Sequence, residues 1–228
     1  MTQLSDHHKQ VHNFPSLLLI LYAVTVTISI TLTNKIIDVE GFYLNGCLVV
    51  FPLLYFFGDI TAEIFGYRMA RKLLWQVLFA GLIFALVINL TMSLPSADFY
   101  DNTHSYKVVF GMDIKFVLVG MLAIWIGGIT NALLIAKTKI ICSGRYFWAR
   151  SILATSVGEL VNSIIAFPLG FMGLLNMSQI INMVIVSYIF KVLYAFFAAY
   201  PANLIVNYFK KSRHYDIYEP GVHFNPFV

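Results

Sequence analysis

The chain has 228 residues, of which 59% are hydrophobic and 11% charged, with a formal net charge of +4. A soluble domain carries roughly 25% charged residues, and its surface needs polar cover that this composition lacks, so a water-soluble globule is excluded. The positive balance is not a nucleic-acid signature either: the basic residues fall in short loops between apolar runs, and the partner the composition implies is the lipid bilayer.

A spanning helix needs about 20 mostly apolar residues to cross about 30 Å of hydrocarbon. Six stretches qualify in chain order, at 15–37, 42–62, 73–94, 114–136, 149–171 and 180–208. They predict an all-α integral membrane protein with six transmembrane helices. Residues 1–14 form an N-terminal tail, 15–209 the transmembrane domain and 210–228 a C-terminal tail. The N-terminus has no short apolar core with a small-residue cleavage site, so no removed signal peptide is expected.

Lys and Arg are retained on the cytoplasmic side. Lys9, Arg68, Arg71, Lys72, Lys137, Lys139, Arg145, Arg150, Lys210, Lys211 and Arg213 fall on one side, which is 11 of the 15 basic residues. Lys35, Lys107 and Lys115 fall on the other, with Asp38, Glu40, Asp98, Asp101 and Asp113, while Lys191 lies inside the last span. The split predicts that both termini are cytoplasmic. The longest outside segment is the polar connector 95–113.

Local features add detail. Pro52, Pro168 and Pro201 fall within predicted spans, where a lost backbone hydrogen bond favours a bend. Gly127-Gly128 suits close helix packing or a hinge. Cys47 and Cys142 are expected near opposite faces, which argues against a disulfide, and no Cys/His spacing suits a metal. His7, His8 and His12 read as solvated tail residues.

A charge at a helix centre costs roughly 2.5–3.5 kcal/mol on insertion scales, so ionisable residues inside the spans need partners or a function. Glu159 lies near the middle of the fifth span and Lys191 near the middle of the sixth. The two helices form an antiparallel hairpin, which makes the residues either a structural ion pair or part of a ligand site. Asp59 and Glu63 are four apart, on one helix face near the cytoplasmic end of the second span. They either pair with Arg68, Arg71 or Lys72 or hold a cation or proton between them. Asn34 and Lys35 end the first span, Asn131 sits in the fourth, and Thr155, Glu159 and Asn162 make a polar stripe on the fifth. Phe51 and Tyr55 precede Asp59 at four-residue spacing. An aromatic stripe of this kind is ordinarily core or lipid contact, but this one ends on a carboxylate, as a cavity wall would.

The segment FPLLYFFGDITAEIFGYRMARKLLW (51–75) resembles the signature of the queuosine precursor transporter family, formerly called vitamin uptake transporters. LTNKI (32–36), ARSILATSVGELVNSIIAF (149–167), YIFKVLYAFFAAYP (188–201) and DIYEPGVHFNPF (216–227) extend the resemblance over most of the chain. It implies uptake across a bacterial inner membrane of 7-deazaguanine bases such as preQ0, preQ1 or queuine, for tRNA modification. Glu159 would then accept the paired N–H donors of the base and Asn162 and Asn131 would meet its other edges. Phe51 and Tyr55 would stack on the ring. Lys191 would meet the ring carbonyl, or neutralise Glu159 when the site is empty. Asp59, Glu63 and Asn34 complete the candidate set.

Two other classes of function compete. A substrate-capturing membrane component of an energy-coupled uptake system has a similar helix count and would show a small-residue docking surface. An intramembrane enzyme needs a nucleophile beside a base or a metal motif. Ser151 and Ser156 lie near Glu159, but no His joins them in the spans and no GxSxG or HExxH occurs, so no enzyme activity and no cofactor are expected. A homodimer stays open.

Overall fold

Backbone hydrogen bonding in hydrocarbon must be satisfied within the segment, which favours helices wherever the chain is apolar for long enough. The computed structural model describes residues 2–33, 35–40, 42–97, 99, 101–111, 114–213 and 215–221. In chain order they form α1 (Thr2–Leu32), a hairpin of β1 (Ile36–Val39) and β2 (Phe42–Asn45), and a 3₁₀ turn (Gly46–Val49). α2 (Pro52–Ser93), α3 (Thr103–Phe110), α4 (Ile114–Ile141), α5 (Phe147–Phe171) and α6 (Met177–Arg213) follow. Five of these helices, α1, α2, α4, α5 and α6, are long and apolar enough to cross a membrane. Hydroxyls inside them fold back on their own helix: Thr25 donates to the Leu21 carbonyl at 2.7 Å and Thr61 to that of Phe57 at 2.8 Å. Such back-bonding removes a polar group that lipid could not solvate.

The first departure from expectation lies between α1 and α2. Residues 36–45, read as the end of one span, a short connector and the start of the next, form an antiparallel hairpin in which Ile36 pairs with Asn45 and Val39 with Phe42. Asn45 closes it: its side-chain oxygen accepts from the Cys47 amide at 2.9 Å, and its Nδ2 donates to the Thr33 carbonyl at 2.9 Å. α2 therefore starts at Pro52 rather than near Phe42. Pro52 opens a helix, where its missing N–H costs nothing, and does not interrupt one.

The second departure is the continuity of α2 through the region read as a loop between two spans. The helix breaks only at Gly66, whose φ of 83° and ψ of 174° suit glycine alone. The first arm, 52–65, rises about 21 Å and the second, 67–93, about 40 Å at 1.5 Å per residue. The break frees the Ile64 carbonyl and the Arg68 amide, which an unbroken helix would join. The C-terminal segment 215–221 takes up both: the Ile217 amide donates to Ile64 O at 3.2 Å, and the Arg68 amide donates to Glu219 Oε2 at 3.3 Å.

α2 packs on α1, α4 and α6, and α5 is sandwiched between α4 and α6. α4 and α5 cross where a Cβ on Gly127 would lie 2.7 Å from the Gly158 carbonyl oxygen, so Gly127 serves close packing. Leu54, Ile60, Ile64, Val77, Ile129 and Ile135 fill the interior, while Phe79, Leu90, Leu153 and Phe197 are exposed on outer faces. Large apolar side chains on both faces are what a lipid surround allows. At one end of the bundle the Phe14 ring stacks on Phe209 at 3.8 Å and lies 6.1 Å from Phe65, beside the tail segment. The opposite end holds the hairpin and Lys115, whose ammonium donates to the Met172 carbonyl at 3.3 Å. The expected connector 95–113 contains the short α3.

Candidate functional site

Three polar groupings occupy the interior, stacked along the bundle. The first borders a cavity of about 130 Å³ lined by residues that include Ser29, Thr33, Asn45, Phe51, Phe116, Asn162, Phe167 and Lys191. Lys191, 3% exposed, projects from α6 toward α5, where its Nζ lies 2.8 Å from Glu159 Oε2 and donates to Asn162 Oδ1 at 3.1 Å and Ser163 Oγ at 3.4 Å. The same ammonium sits 4.5 Å from the centroid of the Phe51 ring, a cation–π contact that a desolvated site strengthens. Its approach to Glu159 has the distance of an ion pair but not the alignment of a hydrogen bond, and Glu159 Oε1 has no hydrogen-bond partner among the described residues. Phe116, Phe167 and Phe171 form an aromatic wall, with Phe116 edge-on to Phe171 at 5.1 Å.

The second grouping centres on Asp59 of α2, which is 2% exposed. Asn131 Nδ2 from α4 donates to Oδ1 at 2.6 Å. From α5, Thr155 donates to Oδ2 at 2.9 Å and Ser151 makes a short hydrogen bond to the same oxygen. A small space of about 10 Å³ adjoins it, lined by Tyr55, Asp59, Ser151, Thr155 and alanines of α6.

The third lies at the end carrying the tail. Glu63 is fully buried and receives Arg150 Nη1 and Nη2 at 2.8 Å each and Lys210 Nζ at 2.6 Å. Lys139 donates to the Glu63 and Ile217 carbonyls at 2.6 and 2.7 Å. Asp216 joins Lys139 at 2.6 Å and Lys210 at 3.0 Å. Burial alone would raise the Asp216 carboxyl, but the two ammonium groups outweigh it and hold it below its usual range. Arg150 and Lys210 on the Glu63 carboxylate, with Lys139 on its carbonyl, make this a clasp between α2, α4, α5, α6 and the tail.

The candidates from sequence therefore divide. Phe51, Asn162 and Lys191 line the cavity, and Glu159 stands behind Lys191. Tyr55, Asp59 and Asn131 belong to the second grouping and Glu63 to the third; Asn34 lies outside the described residues. The polar stripe of α5 is split, Thr155 facing Asp59 while Glu159 and Asn162 face Lys191. Glu63 pairs with Arg150 and Lys210, not with Arg68, Arg71 or Lys72, because those three follow the break at Gly66 and no longer continue its helix. Ser29, Thr33, Asn45, Phe116 and Phe167 also line the cavity and are not among the residues expected from sequence. Ser29 and Thr33 carry a recoverable signal, being four apart at the C-terminal end of α1, where the Thr33 hydroxyl donates to the Ser29 carbonyl at 2.8 Å. Asn45 has none until the hairpin folds. Among the described residues no three His, Cys, Asp or Glu side chains converge as a metal site requires.

A bundle of membrane-length helices around a cavity lined by charged, polar and aromatic side chains defines a membrane protein with an internal cavity. The family model described as putative vitamin uptake transporter matches residues 45–206, and the chain belongs to that family. No curated protein and no solved structure matched the chain.

Proposed function

We propose that this transporter imports 7-deazaguanine bases, the precursors of queuosine in tRNA, across a bacterial inner membrane. The observation that carries the reading is the cavity in which Lys191, Asn162 and Phe51 converge in front of Glu159. A deazaguanine is flat, with a ring carbonyl on one edge and adjacent N–H donors beside it. Phe51 and the Phe116–Phe167 wall offer faces for the ring. Lys191 turns from Glu159 to the ring carbonyl, and the uncovered carboxylate accepts the N–H donors with the oxygen that lacks a partner. Asn45, Asn162, Ser29 and Thr33 meet the remaining edges. A base that leaves these buried groups unpaired is rejected by the cost of their desolvation.

Six crossings with both termini inside suit the same data. Phe14, the break at Gly66 and the end of α6 share one end of the bundle, and the hairpin and Lys115 share the other. Counting the two arms of α2 separately brings five long helices to six crossings, with the hairpin and 3₁₀ turn extending the short first arm. The energy-coupled alternative calls for a small-residue docking surface, yet Ala195, Ala199 and Ala202 of α6 are buried, beside Pro52 and Tyr55 of α2.

The test is complementation. Bacteria unable to make the precursor and lacking their own importer, given this gene and a low concentration of preQ0, are expected to regain queuosine-modified tRNA. Modification no higher than in cells without the gene would contradict the assignment.

A further inference from the structure

Among the described residues three carboxylates are buried inside the helices, and their charges are treated differently. Glu63 has Arg150 and Lys210, and Glu159 has Lys191. Asp59 has only neutral donors: Asn131, Ser151 and Thr155. An ion taken from water without a counter-ion costs several kcal/mol even after relaxation, and three hydrogen bonds offset only part of that. No ammonium or guanidinium group among the described residues bonds to Asp59: the cations on the neighbouring helices, Lys139, Arg150, Lys191 and Lys210, are engaged with Asp216, Glu63 and Glu159. α1 presents Tyr22, α2 presents Tyr55 and Glu63, and α5 presents the hydroxyls of Ser151 and Thr155, with Glu159 turned to Lys191 and reaching Tyr22 and Tyr55. α4 presents Asn131, and α6 presents Ala195, Ala198, Ala199 and Ala202.

We propose that Asp59 is a proton-binding carboxylate that loads and releases one proton per transport cycle, coupling uptake to the proton gradient. A proton neutralises the site without needing room, and the adjoining space of about 10 Å³ is at the lower limit for a single water, too small for a hydrated cation. The surroundings suit both states. When Asp59 is ionised, Ser151, Thr155 and Asn131 donate to it. When it is protonated, a rotated hydroxyl accepts, since Ser and Thr both donate and accept. The Tyr55 hydroxyl, buried on the wall of the same space, has no hydrogen-bond partner among the described residues and supplies a further acceptor.

The link to substrate is a helical stripe. Phe51, Tyr55 and Asp59 follow at four-residue spacing, the Phe51 and Tyr55 rings lie 6.2 Å apart, and Phe51 carries Lys191 on its face in the large cavity. A ligand that moves Lys191 and Phe51 therefore presses on Tyr55 next to Asp59. The coupling half of this proposal rests on the transport reading above; the proton site does not.

The experiment has two arms on the full-length protein in liposomes. Infrared difference spectra between acidic and alkaline buffer need no substrate. The wild type is expected to show the carbonyl stretch of a buried carboxylic acid that titrates, Asp59→Asn to lose it, Glu63→Gln to keep it, and Ser151→Ala to keep it with its midpoint moved up. Ser151→Ala also decides the matter should Asp59→Asn fold poorly. In the second arm, an inside-alkaline pH gradient is expected to raise uptake of labelled preQ0 at least fivefold in the wild type. Asp59→Asn is expected to lose that response while still exchanging labelled for unlabelled base. A titrating band that survives in Asp59→Asn, no band in the wild type, or uptake driven by a sodium gradient in place of the pH gradient would overturn the proposal. A band that depends on Asp59 in a protein that takes up no preQ0 would uphold the proton site and sink the substrate assignment instead.

Discussion

Arg150 and Glu63 are joined by two parallel contacts of 2.8 Å although 87 positions separate them in the chain. The planar guanidinium fork matches a carboxylate in a way that a lysine cannot, and it fixes the start of α5 against the first arm of α2. Arg150→Ala leaves Glu63 buried with Lys210 alone. Removing one partner of a buried pair costs about 3–5 kcal/mol, and the remaining lysine keeps the loss toward the lower figure. Thermal unfolding in detergent is expected to show a large drop for Arg150→Ala and a smaller one for Arg150→Lys. Unchanged melting in Arg150→Ala would remove the clasp from the account of the fold.

Gly66 provides a second test. An alanine there must hold a φ of 83° with ψ near 174°, a region essentially restricted to glycine and costing about 1–3 kcal/mol. Its Cβ would also lie 2.9 Å from the Glu219 carboxyl carbon, but that side chain can move. Gly66→Ala is therefore expected to lower the melting temperature, and adding Glu219→Ala is expected to restore little of it. Full rescue by the second change would mean that the crowding, not the backbone, set the cost.

The tail should respond to acid. Asp216 has a carboxyl held below its ordinary range by Lys139 and Lys210 against the effect of burial. A group depressed on folding stabilises above its unfolded value, about 4 for Asp, and that contribution is lost as pH falls through the lower folded value. Docking of residues 215–221 is thus expected to be constant near neutrality and to weaken below about pH 4. A fluorophore attached beyond Gly221 would report the release, and Asp216→Asn is expected to abolish the pH dependence. Release on raising the pH through neutrality would contradict the assignment of these contacts.

Hydrocarbon thickness made much of the fold legible in the sequence. α4 and α5 begin within two residues of the expected 114 and 149, because a long apolar run between basic loops has few other readings. The hairpin was hidden because Ile36–Val39 and Phe42–Asn45 are too short and too apolar to stand out from helix ends. The break at Gly66 was hidden for a different reason: the groups that satisfy its open ends come from the C-terminal tail, more than 150 positions away. The candidate site followed the same rule. That Glu159 and Lys191 would meet could be read from a hairpin of two helices, whereas the partners of Glu63 and Asp59 depend on contacts among α2, α4, α5 and α6 that no local pattern encodes.

The cavity bounded by Lys191, Asn162 and Phe51 is the proposed site for a deazaguanine. Asn162→Leu, which keeps the branching and the number of heavy atoms of the side chain, removes a polar group that lines this cavity and orients Lys191 at 3.1 Å. An unmet buried polar group costs about 1–3 kcal/mol, and 1.4 kcal/mol is about tenfold in affinity. The most direct measurement is therefore saturable uptake of labelled preQ0 by purified protein in liposomes, compared between the wild type and Asn162→Leu. The account predicts uptake by the wild type that unlabelled preQ0 competes away, and about tenfold or greater loss of apparent affinity in the variant with its fold intact. No uptake by the wild type, or equal affinity in a folded Asn162→Leu, would contradict it.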